Sequence, residues 1–315
     1  MFSLSNQEFA RRLQLIFSGS PIEGRVYAKL PLTDQEESTA AGLTLSGLVR
    51  GPECELSHTL PATFQSVGRE TDSSSISTTI FVPDVCPWTP ELPFLYNSQF
   101  DLLDHDRVVA TCCHVIGMRR WETDGADLRF DSKRFVLRGV WQESSSAALE
   151  RIESETEFIR STWTALVVPG PSDALCEIAS HQGILLVADM RGLARSDRQE
   201  MPGQLRRVEL WPAVAAVLIP DGCFSDMQVV GAIRKLVVAQ FMGGAATFAK
   251  GWVLDAAFVE VDHPDQFAKR VSQTEIPIIA VRRLKKPTTI ESARGACDAL
   301  QRDLAPYGDF AGYIV

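Results

Sequence analysis

No apolar run in this chain approaches the roughly 20 residues that crossing a bilayer requires, so neither a membrane-spanning helix nor a membrane partner is expected. Positive charge is scarce as well. The 31 Lys and Arg stand against 40 Asp and Glu, a formal net charge of −9, whereas a phosphate backbone selects clustered Lys and Arg; nucleic acid is not an expected partner. The one local basic cluster, Arg282-Arg283 with Lys285-Lys286, is short and reads as a solvated loop ahead of an anion site. The opening segment, MFSLSNQEFARRLQLIF, has an acid and paired Arg where a signal peptide would carry its apolar region, which makes cytoplasmic residence the expectation.

A disulfide framework and a zinc site are also missing. The seven Cys are odd in number and irregularly spaced, a pattern that fits free buried thiols. Cys112-Cys113 would point to opposite faces of a strand, so packing is preferred over redox or metal chemistry. His114 follows them, but no second Cys/His cluster completes a tetrahedral set. No metal and no other cofactor is expected, and no repeat or low-complexity segment appears.

What is present is an ordinary globular composition, 45% hydrophobic and 23% charged over 315 residues, enough for two domains or one large one. Two rhythms divide the chain near residue 119. Before it, Leu43 to Val49, Ser75 to Val82, Gln99 to Leu103 and Val108 to Val115 read as short strands separated by turn-rich stretches such as Gly68 to Ser74 and Asp104-His105-Asp106. Strands at this spacing without a helical period suggest an antiparallel sandwich over residues 1–119.

Over 120–315 strands alternate with helices. Strand candidates are Arg134 to Val140, Thr162 to Val168, Ile184 to Ala188, Ala213 to Ile219, Ala256 to Val261, Ile276 to Val281 and Gly312 to Val315, with a short or degenerate one near Gln240 to Gly244. Ser144 to Ser146 offer N-caps for a helix with Leu149, Ile152 and Ile159 on one face. Ser172 caps the next helix and Gly183 ends it. Further helices are expected over Met227 to Phe241, Pro264 to Ser272 and Ile290 to Leu304. This alternation demands parallel strands, in a doubly wound sheet or a (β/α)8 barrel.

The junction carries the most specific motifs. WTPELPFLY, Trp88 to Tyr96, resembles the W-[ST]-P-x-x-P-x-L-Y segment late in the sandwich of family-two glycoside hydrolases, the β-galactosidase and β-glucuronidase family. Ile116 to Arg119 is similar to that family's G-[FI]-R step, and LRFDSKRFVLRGV, Leu128 to Val140, to its entry into the first barrel strand, with Asp131-Ser132 in place of an Asn-Gly turn. Weaker matches follow: LCEIASHQGILLVAD around the third strand, WPAVAAVLIPDG at the fourth, IPIIAVR at the seventh and AGYIV at the eighth. The resemblance implies an immunoglobulin-like β-sandwich followed by a TIM (β/α)8 barrel. That barrel is reduced, at about 195 residues against roughly 250 for a typical one, and the family's N-terminal sugar-binding jelly roll and closing helix are not matched.

Retaining glycoside hydrolysis needs two carboxyl groups roughly 5 Å apart. The resemblance puts the family's acid/base on Gly222, beside Asp221, and its nucleophile on Arg282. Residues Ile276 to Lys286 contain no Asp or Glu at all, and a fixed cation there opposes an oxocarbenium-like transition state. The family's Asn-Arg-His after strand one becomes Trp141-Gln142-Glu143, and its Arg or His after strand two has no counterpart in Ser161 to Leu175. Only Asp189 keeps an acid where the family has one. Glu143, Asp189, Asp221, Glu260 and Asp262 lie near predicted strand C-terminal ends, the face that carries barrel active sites. For each, a loop cap or salt bridge to groups such as Arg282 is the preferred reading; Asp221 with Glu260 is the best catalytic pair.

Trp141 is a candidate for stacking on a sugar, with core packing the preferred alternative. Trp88 and Trp121 read as structural, and Trp163 and Trp211 as packed in the barrel. The expectation is therefore a catalytically inactive relative of the family kept as a carbohydrate-binding or scaffolding module, with Trp141, Glu143, Asp189 and Asp221 as ligand-binding candidates. The alternatives are an active glycosidase with relocated carboxylates, hydrolysing O-glycosyl bonds, and a structural partner of another protein or of a second copy, which predicts an exposed apolar patch near Val315.

Overall fold

The computed structural model describes residues 4–19, 23–37, 40, 42–72, 74–105, 107–192, 201–219, 237–242, 255–271, 274–283 and 289–315. The chain forms two compact units, Met1–Met118 with Leu210–Pro212, and Arg119–Glu209 with Ala213–Val315.

The first unit is an antiparallel sandwich. Helix α1 (Asn6–Arg12) starts at Ser5, whose side chain accepts from the Glu8 N–H at 3.2 Å, and it buries Phe9 completely. Strands β1 (Gln14–Gly19), β2 (Glu23–Pro31), β3 (Leu43–Glu53), β4 (Ala62–Asp72), β5 (Ser75–Pro83), β6 (Leu95–Asp104) and β7 (Arg107–Ile116) follow, with the four-residue helix α2 (Asp34–Glu37) after β2. Their order is β1-β2-β5-β4-β3-β6-β7. β4 serves both layers: Ala62 to Gln65 pair with β3, then, across a bulge at Ser66/Gly68, Ser66 to Asp72 pair with β5. The layers β1-β2-β5-β4 and β3-β6-β7 are the seven-strand immunoglobulin arrangement.

Alternation drives the packing. Along β2, Val26, Ala28 and Leu30 are buried while Arg25 and Lys29 are exposed; Leu43, Leu45 and Val49 do the same on β3. Each fully buried Leu or Val contributes roughly 1.5–3 kcal/mol by leaving water. Gly47 lies opposite Phe100, and a Cβ there would meet the ring at 2.7 Å, so glycine is what lets the aromatic cover the strand. Within the WTPELPFLY segment, Trp88 is fully buried and its N–H donates to the Met118 carbonyl at 2.8 Å. The Tyr96 hydroxyl, at the start of β6, accepts from the Cys86 N–H at 3.0 Å, the back-reaching bond of a tyrosine corner. Cys112 is buried and Cys113 exposed, as strand alternation requires. Gly68 to Asp72, expected as turn, instead extend β4, because backbone pairing with β5 holds polar residues in a strand.

The second unit opens with a three-stranded ribbon, β8 (Trp121–Asp124), β9 (Asp127–Phe130) and β10 (Lys133–Phe135). Trp121, Phe130, Phe135 and Trp163 form one aromatic cluster with ring centroids 4.7 to 6.4 Å apart. Trp163 thus packs on the ribbon, and Trp211 groups with the sandwich unit, where both were expected in the barrel. Arg119 is buried wholly and donates to the Val214 carbonyl; burial pushes its pKa down to about 9.

Eight parallel strands close the barrel: β11 (Leu137–Trp141), β12 (Thr164–Pro169), β13 (Leu186–Asp189), β14 (Val214–Ile219), β15 (Val237–Met242), β16 (Ala256–Glu260), β17 (Ile278–Val281) and β18 (Gly312–Ile314), which pairs back with β11. Every residue of β13, β14 and β17 is buried, the pattern of parallel strands covered on both faces. The helices are α3 (Ser145–Ser161), α4 (Asp173–Gln182), α5 (Met201–Glu209), α6 (Pro264–Val271) and α7 (Ile290–Leu304). Ser144 and Ser172 cap α3 and α4, and Gly183 ends α4 at φ +71°. Ala148, not Leu149, joins Ile152 and Ile159 on the buried face of α3.

Two expectations fail in the barrel. The helix expected over Met227 to Phe241 is strand β15 from Val237 onward, because the adjacent β-branched Val237-Val238 fill the slot between β14 and β16; residues 227–236 lie outside the described residues. The unforeseen α5 hides behind Pro202-Gly203, a turn signal that a helix nevertheless tolerates in its first turn.

Candidate functional site

The C-terminal ends of the barrel strands bring together Trp141 from β11, Asp189 from β13, Phe241 from β15 and Glu260 from β16. Arg191 follows β13 by two residues and Arg282-Arg283 follow β17 directly. β11 and β15 are first and fifth of eight, and so stand opposite one another. Their aromatic rings nevertheless meet edge-to-face, with centroids 6.1 Å apart at 81°. The side chains therefore bridge the barrel axis.

Two guanidinium groups complete the plug. Arg191 Cζ lies 4.0 Å from the Phe241 ring centroid and 5.2 Å from that of Trp141; Arg283 Cζ lies 5.5 and 5.3 Å from the same rings. Such contacts are worth roughly 0.5–2 kcal/mol, with those of Arg283, whose side chain is 57% exposed, at the lower end. Sugar stacking on Trp141 has to compete with guanidinium groups already over the ring.

Asp189, 9% exposed, is held by three donors: Arg191 Nε and Nη2, each at 2.7 Å, and the Arg191 backbone N–H at 3.1 Å. Glu260 approaches Arg283 Nε at 4.0 Å. Arg282 turns away from the axis. Its Nη1 donates to Asp303 on α7 at 2.7 Å, so its partner is not one of the mouth carboxylates named from the sequence. Successive residues leave a strand on opposite sides, which puts Arg283 at the mouth in its place. Glu143 and Asp262 are exposed, and Asp221 and Gly222 lie outside the described residues. Among the described residues no group of three or more His, Cys, Asp or Glu is placed to hold a metal ion. The patch expected near Val315 is not found there: Gly312 to Val315 are all buried.

Sequence reasoning missed Arg191, Phe241 and Arg283. The only local signal was Arg191 two residues after a strand-ending acid, the spacing of a chelated Asp. Phe241 fell where the expected helix, Met227 to Phe241, overlapped the short strand expected near Gln240 to Gly244, and the strand placement is the one that holds.

No protein-family model matches the chain. In solved structures the architecture recurs in a glycosyl hydrolase family 2 member from Bacteroides cellulosilyticus, with a TM-score of 0.65 at 14% identity over 96% of this chain and 45% of that one. The fold is that of glycosyl hydrolase family 2 structures. A Bifidobacterium dentium β-glucuronidase complexed with coumarin-3-O-glucuronide shares it at TM-score 0.63 and 13% identity, covering 96% of this chain and 59% of that one. The Dictyoglomus thermophilum β-D-glucuronidase does so at 0.63 and 14%, covering 96% and 61%. This chain thus spans about half the length of the family 2 structures it matches. A curated β-galactosidase from Streptococcus thermophilus is 32% identical over 73 residues, 23% of this chain and 7% of that protein. Among the described residues, no helix is long and apolar enough to cross a membrane.

Proposed function

We propose that this chain is a catalytically silent relative of the family 2 glycoside hydrolases, its barrel retained as a carbohydrate-binding or scaffolding module, with residues 1–119 as sandwich domain and 120–315 as barrel domain. The observation that carries this reading is the Trp141–Phe241 bridge across the barrel axis, with Arg191 and Arg283 packed on both rings. A glycosidase mouth must admit a sugar ring between two carboxyl groups, and here aromatic and cationic side chains take that space.

The charge distribution supports the same reading. Arg282 stands at the position the resemblance gives to the nucleophile, and the retained acid, Asp189, is neutralised by Arg191. The β-galactosidase and β-glucuronidase names of the similar proteins suggest the substrates to try. Nitrophenyl β-galactoside, β-glucuronide and β-mannoside are expected to show no turnover above the uncatalysed rate. Turnover that disappears on changing Glu260 or Asp221, but not Glu143, would restore the relocated-carboxylate reading.

A further inference from the structure

The sandwich sheet folds over at β4 and ends in two edge strands, β1 and β7. Helix α1 lies against β7 and β2, and its Phe9, with the flanking Leu4 and Leu13, enters the same core as Ala110 and Cys112 of β7. Two polar ties hold it there. Asn6 Oδ1 accepts the Thr111 N–H at 2.9 Å, and Arg12 donates to Glu36 at 2.5 and 2.7 Å.

The bond to Thr111 is a strand bond made by a side chain. Thr111 lies opposite Asp101 of β6, yet its N–H points away from β6, out of the sheet edge. The register with β6 is unbroken from Ala110 to Ile116, and backbone groups alternate sides along a strand, so Cys113 and Val115 face outward with Thr111. Among the described residues no backbone group beyond β6 bonds Cys113 or Val115. Such an edge is a template for a further strand, which proteins blunt with Lys, Pro or a covering element. From Val108 to Ile116 the strand has no Asp, Glu, Lys, Arg or Pro. The cover is α1.

The edge is also self-complementary. Antiparallel pairing of two copies about a two-fold axis through Cys113 sets Cys113 against Cys113 and Thr111 against Val115, so every outward position meets an outward position. No like charges meet. The two Cys113 Cα atoms then stand about 5.5 Å apart, as hydrogen-bonded antiparallel partners do, which is within disulfide reach. Cys113 is exposed and Cys112 is buried.

We propose that β7 is a pairing edge for a second copy of this chain and that α1 is its autoinhibitory cover. Seated, α1 occupies the edge at Thr111; displaced, it lets two β7 strands join antiparallel about Cys113. The inference concerns the sandwich and stands whether or not the barrel is silent.

The test is sedimentation velocity of the full chain, joined to cross-linking by diamide, which takes two electrons and two protons from a pair of thiols. Phe9→Asp puts a charge into an apolar core and so unseats α1. Wild type is expected to be monomeric, whereas Phe9→Asp should dimerise about a hundredfold more tightly, the effect of losing one buried phenyl ring from the cover. Peptide mapping should find Cys113 joined to Cys113. Asn6→Ala, at an exposed position that leaves the core whole, should strengthen pairing by up to about tenfold, the worth of one hydrogen bond. Thr111→Pro added to Phe9→Asp should restore the monomer, because proline removes an outward donor and no bond to β6. The proposal is overturned if Phe9→Asp and Asn6→Ala both stay monomeric. It is also overturned if association survives Thr111→Pro or the cross-link runs through other cysteines, which marks general unfolding in place of edge pairing. Wild type that cross-links at Cys113 as fast as Phe9→Asp overturns the role of α1.

Discussion

Arg191 grips Asp189, two residues before it, through both carboxylate oxygens at 2.7 Å while its guanidinium lies 4.0 Å from the ring of Phe241. One side chain thereby neutralises the acid at the end of β13 and packs the barrel axis. Asp189 is nearly buried, and such a carboxylate is tolerable only with its donors in place.

Arg191→Ala is therefore expected to destabilise the barrel by about 2–3 kcal/mol, mostly through the stranded Asp189 charge. Asp189→Asn combined with Arg191→Ala should recover part of that loss. Thermal unfolding of the two singles and the double measures the coupling, and additive singles would show that the clamp carries no energy.

Acid sensitivity is expected in the sandwich. The Arg12 guanidinium, bonded to Glu36 at 2.5 and 2.7 Å, holds the Glu36 pKa down at about 2, against an ordinary value of 4.5. A depressed folded-state pKa stabilises fully above the unfolded value, and the stabilisation is lost as pH falls through the folded one. Wild type should exceed Glu36→Gln by about 1 kcal/mol near neutrality, allowing for solvent screening. The gap should close between pH 4.5 and 2, and a gap independent of pH would show the pair to be unimportant.

β11 packs too closely against its neighbours β12 and β18 to leave room for side chains at Gly139 and Gly312. A Cβ on Gly139 would stand 2.6 Å from the Ala165 carbonyl, and one on Gly312 2.6 Å from the Leu137 carbonyl. Backbone cannot yield as a flexible side chain does, so Gly139→Ala and Gly312→Ala should each cost about 1–3 kcal/mol. Gly295, inside α7 with nothing within 4 Å of its would-be Cβ, should instead gain about 0.5–1 kcal/mol on change to Ala. Denaturant midpoints for the three variants check both signs.

Thiol reactivity should divide by burial. Desolvation pushes Cys112 and Cys176 up to about 12 and Cys297 to about 11, whereas Cys113 is exposed on the other face of β7. Only the thiolate attacks an alkylating agent. Iodoacetamide on the native chain, read by mass spectrometry, should mark Cys113 well before these three.

Much of this architecture is written locally. The motifs around Trp88, Arg119 and Leu128, the caps Ser144 and Ser172, and the αL Gly183 can each be read from a few neighbouring residues, because turn chemistry and periodicity act over one or two turns of chain. Where local signals conflicted, reading failed. Val237 to Phe241 has apolar residues that suit a buried strand or a helix, and only the slot between β14 and β16 decides between them. Gly68 to Asp72 looks like a turn until β5 supplies its hydrogen bonds.

At the site the division is sharper. Sequence alone placed Trp141 just after the first barrel strand, Asp189 at the end of the third and Arg282-Arg283 just after the seventh. It could not tell that Arg282 turns outward to Asp303 while Arg283 turns inward, nor that Trp141 meets Phe241 a hundred residues along the chain. Those contacts exist only because eight strands close into a ring. Closure sets opposite strand ends within reach of one another, and no local pattern encodes that distance.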